Sequence, residues 1–363
     1  MASQARQLAD KSIAPPGRRN LIINGAMNVA QRGTSVTNFA SNNQYHTVDR
    51  FIYEASGPSS VDFAQVTDAP NGFKKSLKAT LNGAFTPSAS QYFIPFEQRI
   101  ESQDIVFLDY GTSNAKTVTL SFWIKSNKTG TYVVEFSNAA KSRKWSQSYT
   151  INAANTWEKK IITWTGDTGA GTSFDDDNGI GATLFWWMSG GTTFTSGSLS
   201  GAWENATSAN RAVGVPSSLA DDDQFYITGV QLEVGSVATE FEHRSFGEEL
   251  ALCQRYFQYY KNPPLRGVVA STTSAYRMAM VLPVVMRANP SLTLQQTGAL
   301  SHFRVYDGSV TAIYSSFNAS YLKADKIEFD INVTSGSLTG GRAACLYDST
   351  DTYESAFLID AEL

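Results

Sequence analysis

Cysteine and histidine are almost missing from this chain of 363 residues, which has two of the first and three of the second. Two cysteines, Cys253 and Cys345, cannot make a disulfide framework. One sits on an apolar helical face and the other in an apolar run, so both read as buried thiols. The histidines, His46, His243 and His302, have no metal-ligand spacing, and none lies beside a nucleophile elbow. The string Gly197–Gly201 (G-S-L-S-G) puts leucine where G-x-S-x-G needs its serine. No glycine loop with a following lysine is present to cradle phosphate. Charge is also scarce: 17% of residues are charged and the formal net charge is −4. That balance gives no electrostatic case for nucleic-acid binding. The longest apolar run, Met278–Met286, is broken by Pro283 and falls far short of the about 20 residues that cross a bilayer. The N-terminus carries charges with no apolar stretch behind them, so no signal peptide is expected. The expectation is a soluble protein made in a reducing cytoplasm, without membrane insertion.

What is abundant is turn chemistry and aromatic rings. Glycine numbers 27 and aromatics make up 12% of the chain. Such a mix suits β-sandwiches and suits neither helical bundles nor disorder. The length suggests two domains or more. Residues 1–19 are polar and basic, with Arg6, Lys11, Arg18 and Arg19 against Asp10, and Pro15-Pro16-Gly17 closes them off. They read as an arm too poor in apolar surface to fold alone.

Residues 20–244 read as β throughout. Expected strands include 47–53, 60–66, 75–81, 92–95, 118–124, 131–136, 157–164, 181–188 and 225–234, with Ser126–Gly130 as a hairpin turn. Ser245 then stands three residues before Glu248, the spacing of a capping box. Leu250, Cys253, Phe257 and Tyr260 follow at helical spacing, so one amphipathic helix is expected over 245–261, stopped by Asn262-Pro263-Pro264. Residues 263–363 read as a second, smaller β-domain. The fold class is all-β: a jelly-roll or β-sandwich domain (20–244), a linking helix (245–262) and a second smaller β-sandwich (263–363).

Several stretches carry a resemblance. Gln231-Leu232-Glu233-Val234-Gly235, Phe241-Glu242-His243-Arg244 and Cys253-Gln254-Arg255-Tyr256-Phe257 resemble the junction segment of phage tail-fibre and related virion adhesion proteins. Asn20-Leu21-Ile22-Ile23-Asn24-Gly25-Ala26-Met27 and Thr47-Val48-Asp49-Arg50-Phe51 resemble the same family, as does Leu282–Arg287 with Asn289-Pro290. Separately, Thr117–Ser126, Thr129–Phe136, Thr156–Gly166 and Tyr226–Gly235 are similar to carbohydrate-binding-module jelly rolls. The resemblance implies a virion fibre or adhesin, synthesised in the host cytoplasm and assembled as a homotrimer. It implies attachment through residues 1–19 to another tail or capsid protein, and binding of a host-surface glycan. Leu250, Cys253, Phe257 and Tyr260 would then line the trimer interface. A structural or decoration protein of the capsid or tail, and a polysaccharide depolymerase, remain as alternatives.

No catalytic residue is expected. The acid runs Asp175-Asp176-Asp177 and Asp221-Asp222-Asp223 are the candidate ligands of a hard cation such as Ca2+; the plainer reading is solvated loops, and no cofactor is expected. For sugar stacking the candidates are Tyr306, Tyr314, Tyr321, Tyr347 and Tyr353 in the second domain, with Trp145 and Trp203 as the exposed rings of the first. All seven tryptophans lie between 123 and 203. Neighbouring strand residues point to opposite faces, so Trp186 and Trp187 cannot both be in the core of a regular strand, and one is expected to face outward or into a subunit interface.

Overall fold

The computed structural model describes residues 18–40, 43–171, 174–261, 265–271, 274–296, 303–308, 311–335, 338–348 and 355–363. It divides into two units, Met1–Glu249 with Leu363, and Leu250–Glu362. The chain is all-β apart from short helical pieces.

In the first unit the strands run in chain order as β1 (Ser35–Phe39), β2 (Gln44–Tyr45), β3 (Ile52–Ser56), β4 (Ser60–Val66), β5 (Ser76–Asn82), β6 (Tyr92–Glu101), β7 (Val118–Ser126), β8 (Gly130–Asn138), β9 (Arg143–Ile151), β10 (Glu158–Trp164), β11 (Ile180–Trp187), β12 (Ser189–Gly190), β13 (Glu204–Asn205) and β14 (Gln224–Val234). They form two antiparallel sheets. The first has the order β1-β4-β5-β14-β7-β10; the second has the order β13-β9-β8-β11-β6-β3-β2, with β12 against β6. Alternate residues of each sheet meet in one core: Leu120, Phe122 and Ile124 from β7, Phe225 and Ile227 from β14, Val134 and Phe136 from β8, Leu184 and Trp186 from β11. Each such side chain contributes about 1.5–3 kcal/mol of burial.

Trp186 and Trp187 do point to opposite faces. Both are nonetheless covered, at 0% and 1% exposure. Trp186 is in the main core, while Trp187 joins a small second core on the far side of the second sheet. Residues from the stretch after β12 (Phe194, Leu199, Ala212 and Val215) cover that side. Strand β9 is absent from the sequence reading because its lysine, arginine and serines mask the alternation Trp145, Tyr149, Ile151, all of which face the core.

Four of the segments that carry the fibre resemblance, around Asn20–Met27, Thr47–Phe51, Gln231–Gly235 and Phe241–Arg244, converge on one buried polar knot. The amide of Asn20 donates to Val230 O (3.0 Å), and its Oδ1 accepts from Ile22 N and Leu232 N. Asn24 adopts a left-handed φ of 61°. Its side chain bonds Val29 O, Val29 N and Asp49 O, and its N–H donates to Glu249 Oε1. Glu242 accepts from Arg19 N and Asn20 N; Arg244 donates to Ile22 O, Asn20 O and Glu242. Gln231 accepts from Glu242 N. Gly25 is obligatory here, because a Cβ on it would lie 2.1 Å from Val230 O.

The helix is shorter than expected. Ser245 and Glu248 form the capping box: Ser245 N donates to Glu248 Oε2 and Glu248 N to Ser245 Oγ. The helix runs only over Phe246–Gln254, and Phe257–Lys261 is a strand, β15. Tyr256 N turns back to Cys253 O, and the aromatic run Phe257-Gln258-Tyr259-Tyr260 then pairs with a partner strand. Aromatic residues favour that environment, and tertiary pairing overrides the helical spacing. This corrects the apolar stripe. Cys253 and Phe257 are buried within their own chain, Tyr260 sits on β15, and Leu250 is half-buried.

The second unit continues with β16 (Leu265–Ser271), β17 (Ser274–Val281), β18 (Ser291–Gln296), β19 (Phe303–Tyr306), β20 (Thr311–Leu322), β21 (Lys326–Ser335), β22 (Ala343–Asp348) and β23 (Ser355–Asp360). Within the expected all-β class, its main sheet closes on itself. The strands β16-β17-β21-β20-β19-β22 form a barrel, and β15-β23-β18 form a separate three-stranded sheet. Closure removes the sheet edges that an open sandwich leaves. Its core holds Leu265, Met278, Val305, Phe329, Phe357 and Ile359. Cys345 is half-buried on β22, and Cys253 is buried at the end of the helix.

Candidate functional site

The side chains that converge with charge and aromatic surface together lie on the outer face of the second sheet. Their placement follows from strand parity. On β6, β8 and β11 the core takes Phe96, Val134, Phe136, Leu184 and Trp186. The alternate positions, Glu97, Glu135, Phe185 and Trp187, therefore face the other way. Cross-strand pairing sets them side by side: Phe185 pairs with Glu97 on one flank and Glu135 on the other. Glu54 reaches the same face from β3.

Two ion networks result. In the first, Arg211 clamps Glu135 with both ends of its fork, at 2.6 and 2.9 Å, while Ser146 Oγ donates to the same carboxylate. The guanidinium also lies over the rings of Trp187 (4.8 Å) and Phe185 (5.4 Å). Lys144, almost fully buried, pairs with Glu204 at 2.7 Å. These contacts fix the covering stretch onto the sheet.

The second network is more open. Tyr92 OH donates to Glu54 at 3.1 Å, the ammonium of Lys141 stands 3.5 Å from the same carboxylate, and Lys141 lies over Phe185 at 4.9 Å. Arg99 Nε donates to Glu97 Oε1 at 2.7 Å. Glu97 Oε2 meets no donor. Burial, with Glu54 beside it, pushes the Glu97 carboxyl up to about 8. Burial also works against charge on Glu54, but hydrogen bonds from Glu97 and Tyr92, with Lys141 and Arg211 nearby, hold it below the usual range. With one carboxyl raised and the other lowered, Glu97 is the member of the pair that keeps its proton near neutral pH while Glu54 is ionised.

The residues singled out from sequence lie elsewhere. Trp145 is 7% exposed and faces the core, which corrects its reading as an exposed ring. Trp203 is half-buried against Tyr110, Phe136 and Trp145, and its indole N–H donates to Thr165 O. In the second unit, Tyr306 and Tyr321 are open at 40% and 41%, and Tyr321 has Lys323 and Lys326 over its ring. Tyr314 and Tyr347 fall on β20 and β22, and their side chains lie outside those described; Tyr353 lies outside the described residues. Asp175, Asp176 and Asp177 sit in an exposed loop where Asp177 accepts from Gly179 N. Asp221 caps Gly83 N, Asp222 accepts from Gln224 and Asp223 from Ala220 N. Among the described residues no group of three acids, histidines or cysteines is placed to hold a metal ion. His46 is buried and stacked on Phe63; burial, with Arg32, lowers it to about 3, so it is neutral and structural.

Glu54, Tyr92, Glu97 and Arg211 were missed by sequence reading. Each is separated from its partners by tens of residues, and only the parity of 92–101, 130–138 and 180–187 hinted at a second, outward row.

No family model matches the chain, and no curated protein matches it. Among solved structures it is similar to the enzymatically active domain of tailspike protein 4 of bacteriophage CBA120, at 15% identity and a TM-score of 0.31, covering 55% of this chain and 21% of that one. The alignment therefore spans about a fifth of the tailspike chain. It is similar to a family 4 carbohydrate-binding module, at 14% identity and a TM-score of 0.29, covering 58% of this chain and 98% of the module. It is also similar to a family 61 module solved with β-1,4-galactotriose, at 12% identity and a TM-score of 0.28, covering 55% and 100%.

Proposed function

We propose that this chain is a virion adhesin without catalytic activity, attached to its particle through residues 1–19 and binding a host-surface glycan. The observation that carries the glycan reading is the outer face of the second sheet. There Tyr92 is the partly open ring, beside Glu54 and Lys141 and against the buried rings of Phe185 and Trp187, which Arg211 holds from above. Flat rings pack on the C–H faces of sugars, while fixed carboxylates and cations bond their hydroxyls. Glu54, Tyr92 and Lys141 form its accessible rim. The homotrimer belongs to the same proposal, without the helical stripe first assigned to it.

The test uses particles carrying full-length protein with Tyr92→Ala and Lys141→Gln together. Adsorption to host cells should fall at least about tenfold, as for loss of a binding hot spot. Unchanged adsorption by particles that contain the variant would refute this site. If deleting 263–363 then abolished adsorption, the receptor site would pass to the barrel. No reducing ends should be released from host polysaccharide; their appearance would overturn the non-enzymatic reading. Removing residues 2–19 should leave a folded protein that no longer enters particles.

A further inference from the structure

The first sheet also has an outward row, and its composition is unlike that of a merely solvated face. On β7 the core takes Phe122 and Ile124, leaving Trp123 and Lys125 outward; on β10 it takes Ile162 and Trp164, leaving Lys159 outward. Tyr226 on β14 pairs with Lys125 on one side and Lys78 of β5 on the other. The Lys125 ammonium lies 4.2 Å from the centroid of Tyr226 and 5.4 Å from that of Trp157, and the Lys78 ammonium lies 5.4 Å from Tyr226. One line across the sheet therefore reads ring, ammonium, ring, ammonium: Trp157, Lys125, Tyr226, Lys78. In the next line Lys159 pairs with Trp123. On β10 and β7 rings and ammoniums alternate both along and across the strands; on β14 the neighbour of Trp123 is Thr228.

The middle of this pattern is packed, with Lys125 and Tyr226 at 7% and 9% exposure. Its ends are open: Lys159 is exposed, and Trp157, Trp123 and Lys78 are half-exposed. Asp68 is an acid within it, and that acid is occupied. It accepts from the Trp157 indole N–H at 3.0 Å and pairs with Lys125. Burial works against its charge, but these hydrogen bonds and the two ammoniums hold it below the usual carboxylate range. The pattern thus sets the three ammoniums of Lys78, Lys125 and Lys159 against Asp68, with Asp222 as a second acid acting on Tyr226. Across neighbouring strands about 4.8 Å apart, the four-residue line spans roughly 14 Å. That is room for several sugar rings laid across the strands.

We infer that the outer face of the first sheet is a second glycan site, specific for acidic polysaccharide whose carboxylates meet Lys78 and Lys159 while its ring faces pack on Trp157 and Trp123. The inference shares with the proposed function only the class of ligand, and it uses a different sheet. Excess positive charge favours an anionic chain over a neutral one, and cation–π contact holds the ammoniums at the height of the rings.

The experiment titrates full-length protein with hexagalacturonate and, as the neutral probe, maltohexaose, by calorimetry. Hexagalacturonate should bind and maltohexaose should not, and binding should weaken as salt rises, because the contacts lie at the surface. Lys159→Gln and Lys78→Gln, both on open positions that leave the core intact, should each weaken binding by about fivefold to tenfold, and Trp157→Ala by about tenfold. Tyr92→Ala with Lys141→Gln, on the other sheet, should leave hexagalacturonate binding unchanged. Equal binding of both probes, no binding of hexagalacturonate at millimolar concentration, or insensitivity to Lys159→Gln and Lys78→Gln would each overturn the inference. Loss of hexagalacturonate binding only in the Tyr92/Lys141 variant would place the anion on the second sheet instead.

Discussion

The junction knot and the charged face of the second sheet are both buried polar regions of one unit, but they are built on opposite terms. In the knot, Asn20, Asn24, Gln231 and Glu242 bond mostly to backbone groups of neighbouring segments, and donors match acceptors. On the charged face, side chains bond to side chains, and Glu97 Oε2 has no hydrogen-bond partner. A network of the first kind fixes geometry and has little left over for a ligand. A network of the second kind keeps charge and unfilled hydrogen-bonding capacity at a partly open surface. Satisfied polar networks specify a fold, whereas perturbed titratable groups gather where chemistry or binding occurs. The strings that carry the fibre resemblance at the knot are thus architectural, and the residues of the proposed glycan site carry no motif.

The contrast can be broken by substitution. The largest effect is expected for Arg211→Ala, which strands the fully buried Glu135 without its clamp. Loss of one partner of a buried pair costs about 3–5 kcal/mol, so the denaturant midpoint should fall steeply, and a change under 1 kcal/mol would show the pair to be dispensable. Next comes Gly25→Ala in the knot. With Val230 O 2.1 Å from the new Cβ, the backbone must move, at about 1–3 kcal/mol or more. Its melting temperature should drop, whereas Gly72→Ala, in open space with a φ of +93°, should cost only its backbone strain.

Glu97→Gln sharpens the comparison through pH. Glu97 is raised from 4.5 to about 8 in the folded chain, so between those values the folded state holds more protons than the unfolded one. Stability must then fall as pH rises through this window. In the Gln variant, which keeps the neutral form, the fall between about pH 5 and 8 should flatten; an unchanged profile would remove the Glu97 proton from the account. The smallest effect belongs to the helix cap. Ser245→Ala removes an exposed capping box at a cost of about 1 kcal/mol, read as a small shift in melting temperature with no change in adsorption.

Much of the strand pattern was legible. Ser60–Val66 is a strand with the bounds its alternation suggests, and the Ser126–Gly130 turn joins β7 to β8. Alternation succeeds there because one face of each strand meets a core and the other does not. It failed at β9, where charged outward residues hide an inward row, and at Phe257–Lys261, where aromatic spacing fits helix and strand equally until a partner strand is supplied. Trp145 and Trp203 were misjudged for the same reason: their neighbours in sequence are polar, but their neighbours in space are Phe136 and each other.

By itself the sequence determined the all-β class, the turns, the capping box and the opposite facing of Trp186 and Trp187, since these depend on residues within one turn or one strand of each other. Only the tertiary structure decided that Trp187 is covered, that the second unit closes into a barrel, and that Glu54 meets Glu97 while Lys125 lies between Trp157 and Tyr226. Those outcomes depend on which strands pair and in what register. A shift of one residue in register would send every one of these side chains to the other face.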